Sequence, residues 1–313
     1  MAENRNAQQV REITDKLEQG LKELFESERF KEYLKTMSKF YNYSFNNTLL
    51  IAMQKPGATL IAGYTAWQRN FDRHVMKGEK GIKILAPAPY KVQEEREKLD
   101  PVTQKPVLDK DGKPVTETVE VTRPAFKVVS VFDVSQTDGK ELPDIAVDEL
   151  TGSVENYAAF FDALKELSPV PIAFENITDG AKGYFSHVEN RIAIQEGMSE
   201  IQTIKTAIHE IAHAKLHAVT PGEKVAPEDK KDRRTKEVEA ESVAYTVCQR
   251  YGIETSDYSF GYIAGWSSDK ETKELKGSLE TIRKTAAEMI TGIDEKLKER
   301  LAVKEQEAPT PLR

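Results

Sequence analysis

Residues 204–213 read Ile204-Lys-Thr-Ala-Ile-His-Glu-Ile-Ala-His213. Two histidines, His209 and His213, stand four apart, and Glu210 follows the first directly. Four residues make about one turn of helix, so both imidazoles project to the same side, one above the other. Such a pair can hold one Zn2+ at about 2.0–2.1 Å. Glu210 lies about 100° further round, beside the metal instead of on it, where it can activate a water. Ile204, Ala207, Ile208 and Ile211 form the opposite, apolar face. A helix that buries this face turns its histidines towards a cleft. His217 lies one turn further on and reads as a neighbour of the site or a surface residue.

Two histidines need a third protein ligand. The next helical stretch carries Glu237, Glu239 and Glu241. Glu237 and Glu241 share a face, whereas Glu239 sits about 200° round from Glu237. A carboxylate pair at this spacing suits one metal ligand and one partner for a ligating histidine's outer N–H. Glu237 is expected as the ligand and Glu241 as the partner, with the reverse assignment open. Tyr184 and His187, in the preceding hairpin pattern, are candidates to stabilise an oxyanion.

Outward from this site, helices are predicted near 198–218, 229–251 and 270–302. The last carries Leu275, Leu279, Ile282, Ala286, Met289, Ile293 and Leu297 on one stripe, a packing face. Before the site, a helix is expected over 154–167, a strand over 170–177 and a hairpin over 182–195 turning at Glu189-Asn190. The first half reads as a helix over 6–39 and a second over 45–54 that stops at Lys55-Pro-Gly57. A short helix over 65–71 follows, with Thr65 as its cap. Strands are expected at 81–87 and 127–134. Between them, a charged insert at 94–124 turns at Asp109-Lys-Asp-Gly-Lys113. Residues 136–148 read as the linker, and residues 303–313 as a disordered tail.

The chain has 313 residues, 39% hydrophobic and 31% charged, which suits one large or two ordinary domains. A polar start argues against a secretory signal, and no run approaches the length of a membrane span. No membrane association is expected, and the expected location is the cytoplasm. The single Cys248 excludes a disulfide framework and a multi-cysteine zinc site. The net charge of −7 hides a division. Residues 29–93 hold eleven basic and three acidic side chains, a net +8, which leaves −15 for the rest. The same stretch holds Phe30, Tyr33, Phe40, Tyr41, Tyr43, Phe45, Tyr64, Trp67, Phe71 and Tyr90. Cations among aromatics suit single-stranded nucleic acid: phosphates need charge, and unpaired bases need flat faces.

The run His-Glu-Ile-Ala-His-Ala-Lys-Leu-His217, followed by Glu237-Val-Glu-Ala-Glu-Ser-Val-Ala-Tyr245, resembles the peptidase domain of ImmA/IrrE-like proteins and of ArdC-type antirestriction proteins. Tyr43-Ser-Phe-Asn-Asn-Thr-Leu-Leu-Ile51, Gly63-Tyr64 with Trp67, Lys77-Gly-Glu-Lys-Gly-Ile82 and Val131-Phe-Asp-Val-Ser-Gln-Thr137 resemble the ArdC-like N-terminal domain. The charged insert departs from the plasmid antirestriction pattern. The resemblance implies an α+β protein of two domains. A single-stranded-DNA-binding domain spans 1–140, and a zincin-like metallopeptidase domain spans 146–302. It implies a protein of mobile or conjugative elements that protects incoming DNA, with Zn2+ as cofactor and single-stranded DNA as partner, together with a possible protein substrate. Two alternatives follow: a regulatory zinc protease that cuts a repressor or DNA-bound protein, and a DNA-binding module with an inactive zincin scaffold. The expected DNA contacts are Lys77, Lys80, Lys83, Arg69, Arg73, Asn46, Asn47, Tyr64 and Trp67, with Trp67 at least partly in the core.

Overall fold

The computed structural model describes residues 2–101, 103–142, 154–178, 180–218, 231–253, 255, 256, 258 and 260–307. Helices and mostly antiparallel sheets follow one another along the chain in an α+β arrangement. The expected helix over 6–39 is two helices, α1 (Ala2–Leu24) and α2 (Ser27–Lys39). The break has a local cause. Glu26 is extended and caps α2, while Phe25 before it stacks on Phe30 in the first turns, at 6.1 Å between centroids. A hydrophobic pair that brackets an N-cap fixes the angle at which the chain enters a helix. No glycine or proline marks the spot.

Helix α3 (Phe45–Gln54) starts at Ser44, whose side chain accepts from Asn47 N–H. Strand β1 (Ile61–Gly63) leads directly into α4 (Tyr64–Phe71). The cap of α4 is Gly63, one residue before the expected start, and Thr65 is inside the helix. Strand β2 (Arg73–Val75) precedes β3 (Ile82–Pro87). Strands β4 (Tyr90–Glu97) and β5 (Thr116–Arg123) pair antiparallel as the stem of the charged insert. Its tip turns where expected: Asp109 N–H donates to Lys113 O, and Gly112 takes a φ of 78°. Strand β6 (Phe126–Asp133) lies between β1 and β3 in an antiparallel sheet.

The expected linker begins too early. Residues 134–136 form a 3-10 turn, and β7 (Thr137–Gly139) pairs with β2. Arg73 holds this pair together. Its guanidinium donates to Thr137 Oγ1 and O at 2.8 Å and to Lys140 O at 2.6 Å. Residues 143–148 of the expected linker lie outside the described residues.

Helix α5 (Val154–Leu167) precedes a second sheet. In it, β10 (Arg191–Gln195) runs parallel to β8 (Ile172–Glu175) and antiparallel to β9 (Gly183–Ser186). Asn190, at φ 50°, makes the β9–β10 turn. Helices α6 (Glu200–His217), α7 (Arg233–Arg250), α8 (Ile263–Ser267) and α9 (Thr272–Glu307) complete the chain. The short α8 was not expected. Helix α9 continues to Glu307, so the tail expected from residue 303 is helical over its first five residues. Residues 308–313 lie outside the described residues.

One hydrophobic core runs through both halves. Leu17, Leu21, Phe30, Leu34 and Met37 of α1 and α2 join Ile208, Val243, Val247, Leu279, Ile282 and Ile290 of α6, α7 and α9. Phe30 meets Phe260 edge-on at 5.3 Å, and Phe25 meets Trp266 at 5.8 Å. A smaller core lies under the first sheet, with Phe40, Ile51, Ile61, Ile82, Ile84 and Val131. The chemistry therefore stands on a scaffold that the N-terminal helices help to build.

Candidate functional site

Helix α6 buries Ile204, Ala207, Ile208 and Ile211, as its apolar stripe requires. Ser199 caps its start by accepting from Gln202 N–H. The histidine side faces α7, whose own start is fixed by Asp232 accepting from Thr235 N–H. Ala240 and Ala244 of α7 are fully buried. Small side chains let two helices approach closely.

The approach brings His209, His213 and Glu237 together. Their nearest ligand atoms are 3.1 Å apart between the two Nε2 atoms. Glu237 Oε2 lies 3.4 Å from His213 Nε2 and 3.7 Å from His209 Nε2. Ligands held tetrahedrally at roughly 2.0–2.1 Å from one metal stand about 3.3–3.4 Å apart, so these three separations fit one small ion. Two imidazoles and a carboxylate are also the donor set of a catalytic site that keeps a fourth position open. The hydrogen bonds and charges of His209 and His213 hold the Glu237 carboxyl far below the usual range. It is therefore an anion ready to ligate.

Glu210 is buried beside the triad. Burial raises its pKa against the pull of His209 and His213, and it accepts a hydrogen bond from Phe185 N–H. Strand β9 thus touches the site from above α6. Gly183 makes that contact possible. A Cβ there would lie 2.6 Å from Thr206 Cγ2, 2.9 Å from Ala193 O and 3.4 Å from Glu210 Cγ. The Ala193 carbonyl is backbone and cannot swing away. Gly183→Ala is expected to push β9 off α6 and cost about 1–3 kcal/mol of stability. Metal stoichiometry should survive, since the three donors sit on α6 and α7, while any peptide hydrolysis should fall. Unchanged melting and turnover would contradict this account of the strand.

Two clefts, of about 340 and 570 Å3, share Gly183, His209 and Glu210 in their walls. His209 and Glu210 thus face a cleft on either side. Tyr184 is committed elsewhere: its hydroxyl donates to Glu175 Oε1 at 2.5 Å and accepts from the Arg191 guanidinium at 3.3 Å. His187 lines the larger cleft near His213, its ring against Phe185 at 4.6 Å. Glu241 accepts from the Tyr262 hydroxyl. The outer nitrogen of His213 meets His217 at 3.1 Å, so for that histidine the partner comes from the same helix and not from Glu241.

The expected DNA contacts divide. Trp67 is fully buried, and its Nε1–H donates to Phe132 O, so its ring cannot receive a base. Asn47 and Arg73 have structural work. Asn47 pairs with both backbone groups of Leu85 at 2.9 Å, and Gln54 does the same for Lys83. These two amides cover the edge of β3 that β6 leaves open, as a neighbouring strand would. Asn46, Arg69, Lys77, Lys80 and Lys83 are exposed, and Tyr64 is 59% exposed.

Of these, Lys83 and Tyr64 stand beside Ser130 and Phe132 on one ledge of the first sheet. Lys83 pairs with Ser130 and donates to its hydroxyl at 3.2 Å. Two residues along β6, Phe132 meets Tyr64 edge-on at 6.2 Å. Gly81 packs flat against Ser130 and Phe132, where a Cβ would lie 2.8 Å from Ser130 Cβ. The turn before it is held by Gln136, whose amide donates to Glu79 Oε2 and Lys80 O. Asp133 in turn receives N–H groups from Thr59, Leu60 and Ser135. Phe132 was absent from the expected contacts. Its place in the alternation of β6, opposite buried Val131, is the signal that marks it.

The N-terminal domain of the anti-restriction factor ArdC matches residues 4–132, and the IrrE N-terminal-like domain matches residues 168–251. The chain therefore carries an ArdC-like N-terminal domain followed by an IrrE-like domain. The first match carries the ledge, and the second carries His209, Glu210, His213 and Glu237. An uncharacterized protein of Bacillus anthracis is 29% identical over 93% of this chain and 52% of its own length. The DNA primase TraC of Escherichia coli is 34% identical over 44% of the chain and 12% of the primase. The chain thus spans about half the length of the first of these relatives and a small part of the second. Among solved structures, the antirestriction ArdC protein of plasmid R388 is similar in its metal-free form, at 22% identity and a TM-score of 0.47. That match covers 83% of this chain and 85% of the other. Its Mn(II)-bound form is similar at 20% identity and 0.46, over 83% and 86%. Among the described residues, no helix is long and apolar enough to cross a membrane.

Proposed function

We propose that this chain is a cytoplasmic single-strand DNA-binding protein of a mobile or conjugative element, with a zinc-dependent peptidase centre in its second domain. The observation that carries the reading is Glu210, buried beside a complete donor set. A scaffold held together by metal needs ligands but no general base. When bound, Zn2+ supplies Lewis-acid polarisation of a scissile carbonyl. Glu210 takes the proton from the attacking water and delivers it to the leaving amine. Its burial, which raises the pKa, suits a group that must both accept and return a proton. Strand β9 is the edge of its sheet, and an extended peptide can add to such an edge. The role in protecting incoming DNA rests on the ArdC-like domain.

The DNA half of the reading rests on the ledge. Tyr64 and Phe132 offer ring faces, and Lys77, Lys80 and Lys83 offer charge. Lys80→Ala is expected to weaken binding of every single-stranded oligonucleotide alike and to flatten the salt dependence, with thermal stability unchanged. Tyr64→Ala should cost about 1–3 kcal/mol of binding and leave the salt slope alone. Fluorescence titrations of the full chain at several salt concentrations measure both. Loss of binding that only tracks a lowered melting temperature would make Tyr64 a core residue and remove the stacking role.

A further inference from the structure

We propose that buried His217 and Glu239, capped by Lys231 at the surface, form a chain of hydrogen bonds that fixes the tautomer of His213 and thereby sets metal affinity. The inference rests on the reading of His209, His213 and Glu237 as the ligand set. His213 turns Nε2 towards His209 and Glu237, so Nε2 is the donor atom and must carry no proton. A neutral imidazole then holds its proton on Nδ1. That N–H points at His217 Nδ1, 3.1 Å away. His217 must accept there, so its own proton lies on Nε2, which faces Glu239 Oε2 at 3.1 Å. Lys231 Nζ closes the chain on the two Glu239 oxygens, at 2.6 and 2.8 Å. Each donor meets an acceptor: the two imidazole bonds run from His213 through His217 to Glu239, and Lys231 donates to the same carboxylate from its other side.

Burial gives the chain its force. The side chains of His217 and Glu239 are 2% and 0% exposed, so water cannot replace a lost partner. A fully buried carboxylate is costly unless it is paired. The expected position of Glu239, turned away from Glu237 on α7, is what carries it to His217. Without Glu239, His217 is free to hold its proton on Nδ1 and set two N–H groups against each other at His213. His217 and Glu239 are positioning residues: they touch no metal and act through His213.

The test uses the full chain and Zn2+ itself, in competition with a chromophoric chelator. His217→Leu and Glu239→Leu are each expected to weaken Zn2+ binding about 10–100-fold. The double variant should be within about threefold of the weaker single, because both changes cut one chain. Glu239→Gln should stay close to native, since its carboxamide oxygen still accepts from His217. Native affinity in Glu239→Leu, or additive losses in the double variant, would overturn the proposal. If His217→Leu fails to fold, ring nitrogen-15 spectra of the native zinc-loaded chain decide the matter. They should show His217 protonated on Nε2 alone, and any other state overturns the chain of bonds. His213→Ala separates the two layers of the argument. Stoichiometric zinc in that variant would sink the ligand set, whereas zinc loss there beside normal binding in Glu239→Leu would sink only this inference.

Discussion

Glu210→Gln is expected to bind one zinc per chain and to hydrolyse peptide about 10²–10⁴-fold more slowly than the native protein. His213→Ala is expected to lose the metal and the activity together. The contrast follows from position. His213 Nε2 stands 3.1 Å from His209 Nε2 and 3.4 Å from Glu237, within the donor cluster. Glu210 lies one residue round the helix and is held from the other side by Phe185 N–H. Glutamine preserves its shape and can still accept that N–H, but it cannot take a proton. Metal content by mass, and cleavage of a denatured protein substrate, read the two variants apart. Stoichiometric zinc in His213→Ala, or native turnover in Glu210→Gln, would remove the peptidase reading. Glu237→Gln and Glu241→Gln belong in the same series. Only the first should release metal, since Glu237 alone of the pair joins the donor cluster.

The parts of the site that lie on one helix were legible in the sequence. A helix fixes the angle between its own residues, so His209, Glu210, His213 and Ile208 could be assigned to faces without any tertiary information. Glu237 was reachable because a third ligand was required and a second helix offered a carboxylate pair. Glu239 shows where this method stops. Its angle on α7 was read correctly, but its partner His217 is 22 residues away on another helix. Periodicity within one helix does not say what the far face will meet. The structural contacts of Asn47 and Arg73 were not legible for a related reason. A polar residue in a basic stretch looks like a contact for DNA, yet Asn47 closes the edge of β3 and Arg73 holds β7. Those strands were hard to see, since β1, β2 and β7 have three residues each and too few alternations to register. The break between α1 and α2 had no local mark, because Phe25 and Phe30 make it by packing against each other and against Trp266 and Phe260.

Phe30→Ala is expected to cost about 3–5 kcal/mol of stability and to lower metal binding and DNA binding in the same denaturant transition. Phe30 is fully buried, and its neighbours come from both halves: Phe25 on the N-terminal side and Phe260 after α7. The sequence match of the ArdC-like domain ends at residue 132, but the hydrophobic core does not end there. Leu34 and Met37 of α2 lie in the same cluster as Val243 and Val247 of α7, the helix that carries Glu237. Removing the Phe30 ring therefore opens a cavity behind the helix that holds the metal ligand. A typical domain is stable by only about 5–15 kcal/mol, so a loss of this size is a large share of the total. Urea unfolding followed by two probes, zinc release and oligonucleotide fluorescence, measures the effect. Coincident curves that shift together in Phe30→Ala would mean that the N-terminal helices are a structural part of the peptidase domain. A chain cut near residue 140 would then expose Phe30, Leu34 and Met37 to water and should fail to fold alone. Two separate transitions, with zinc release unmoved by Phe30→Ala, would instead mean that the shared core contributes little and that the halves are energetically independent.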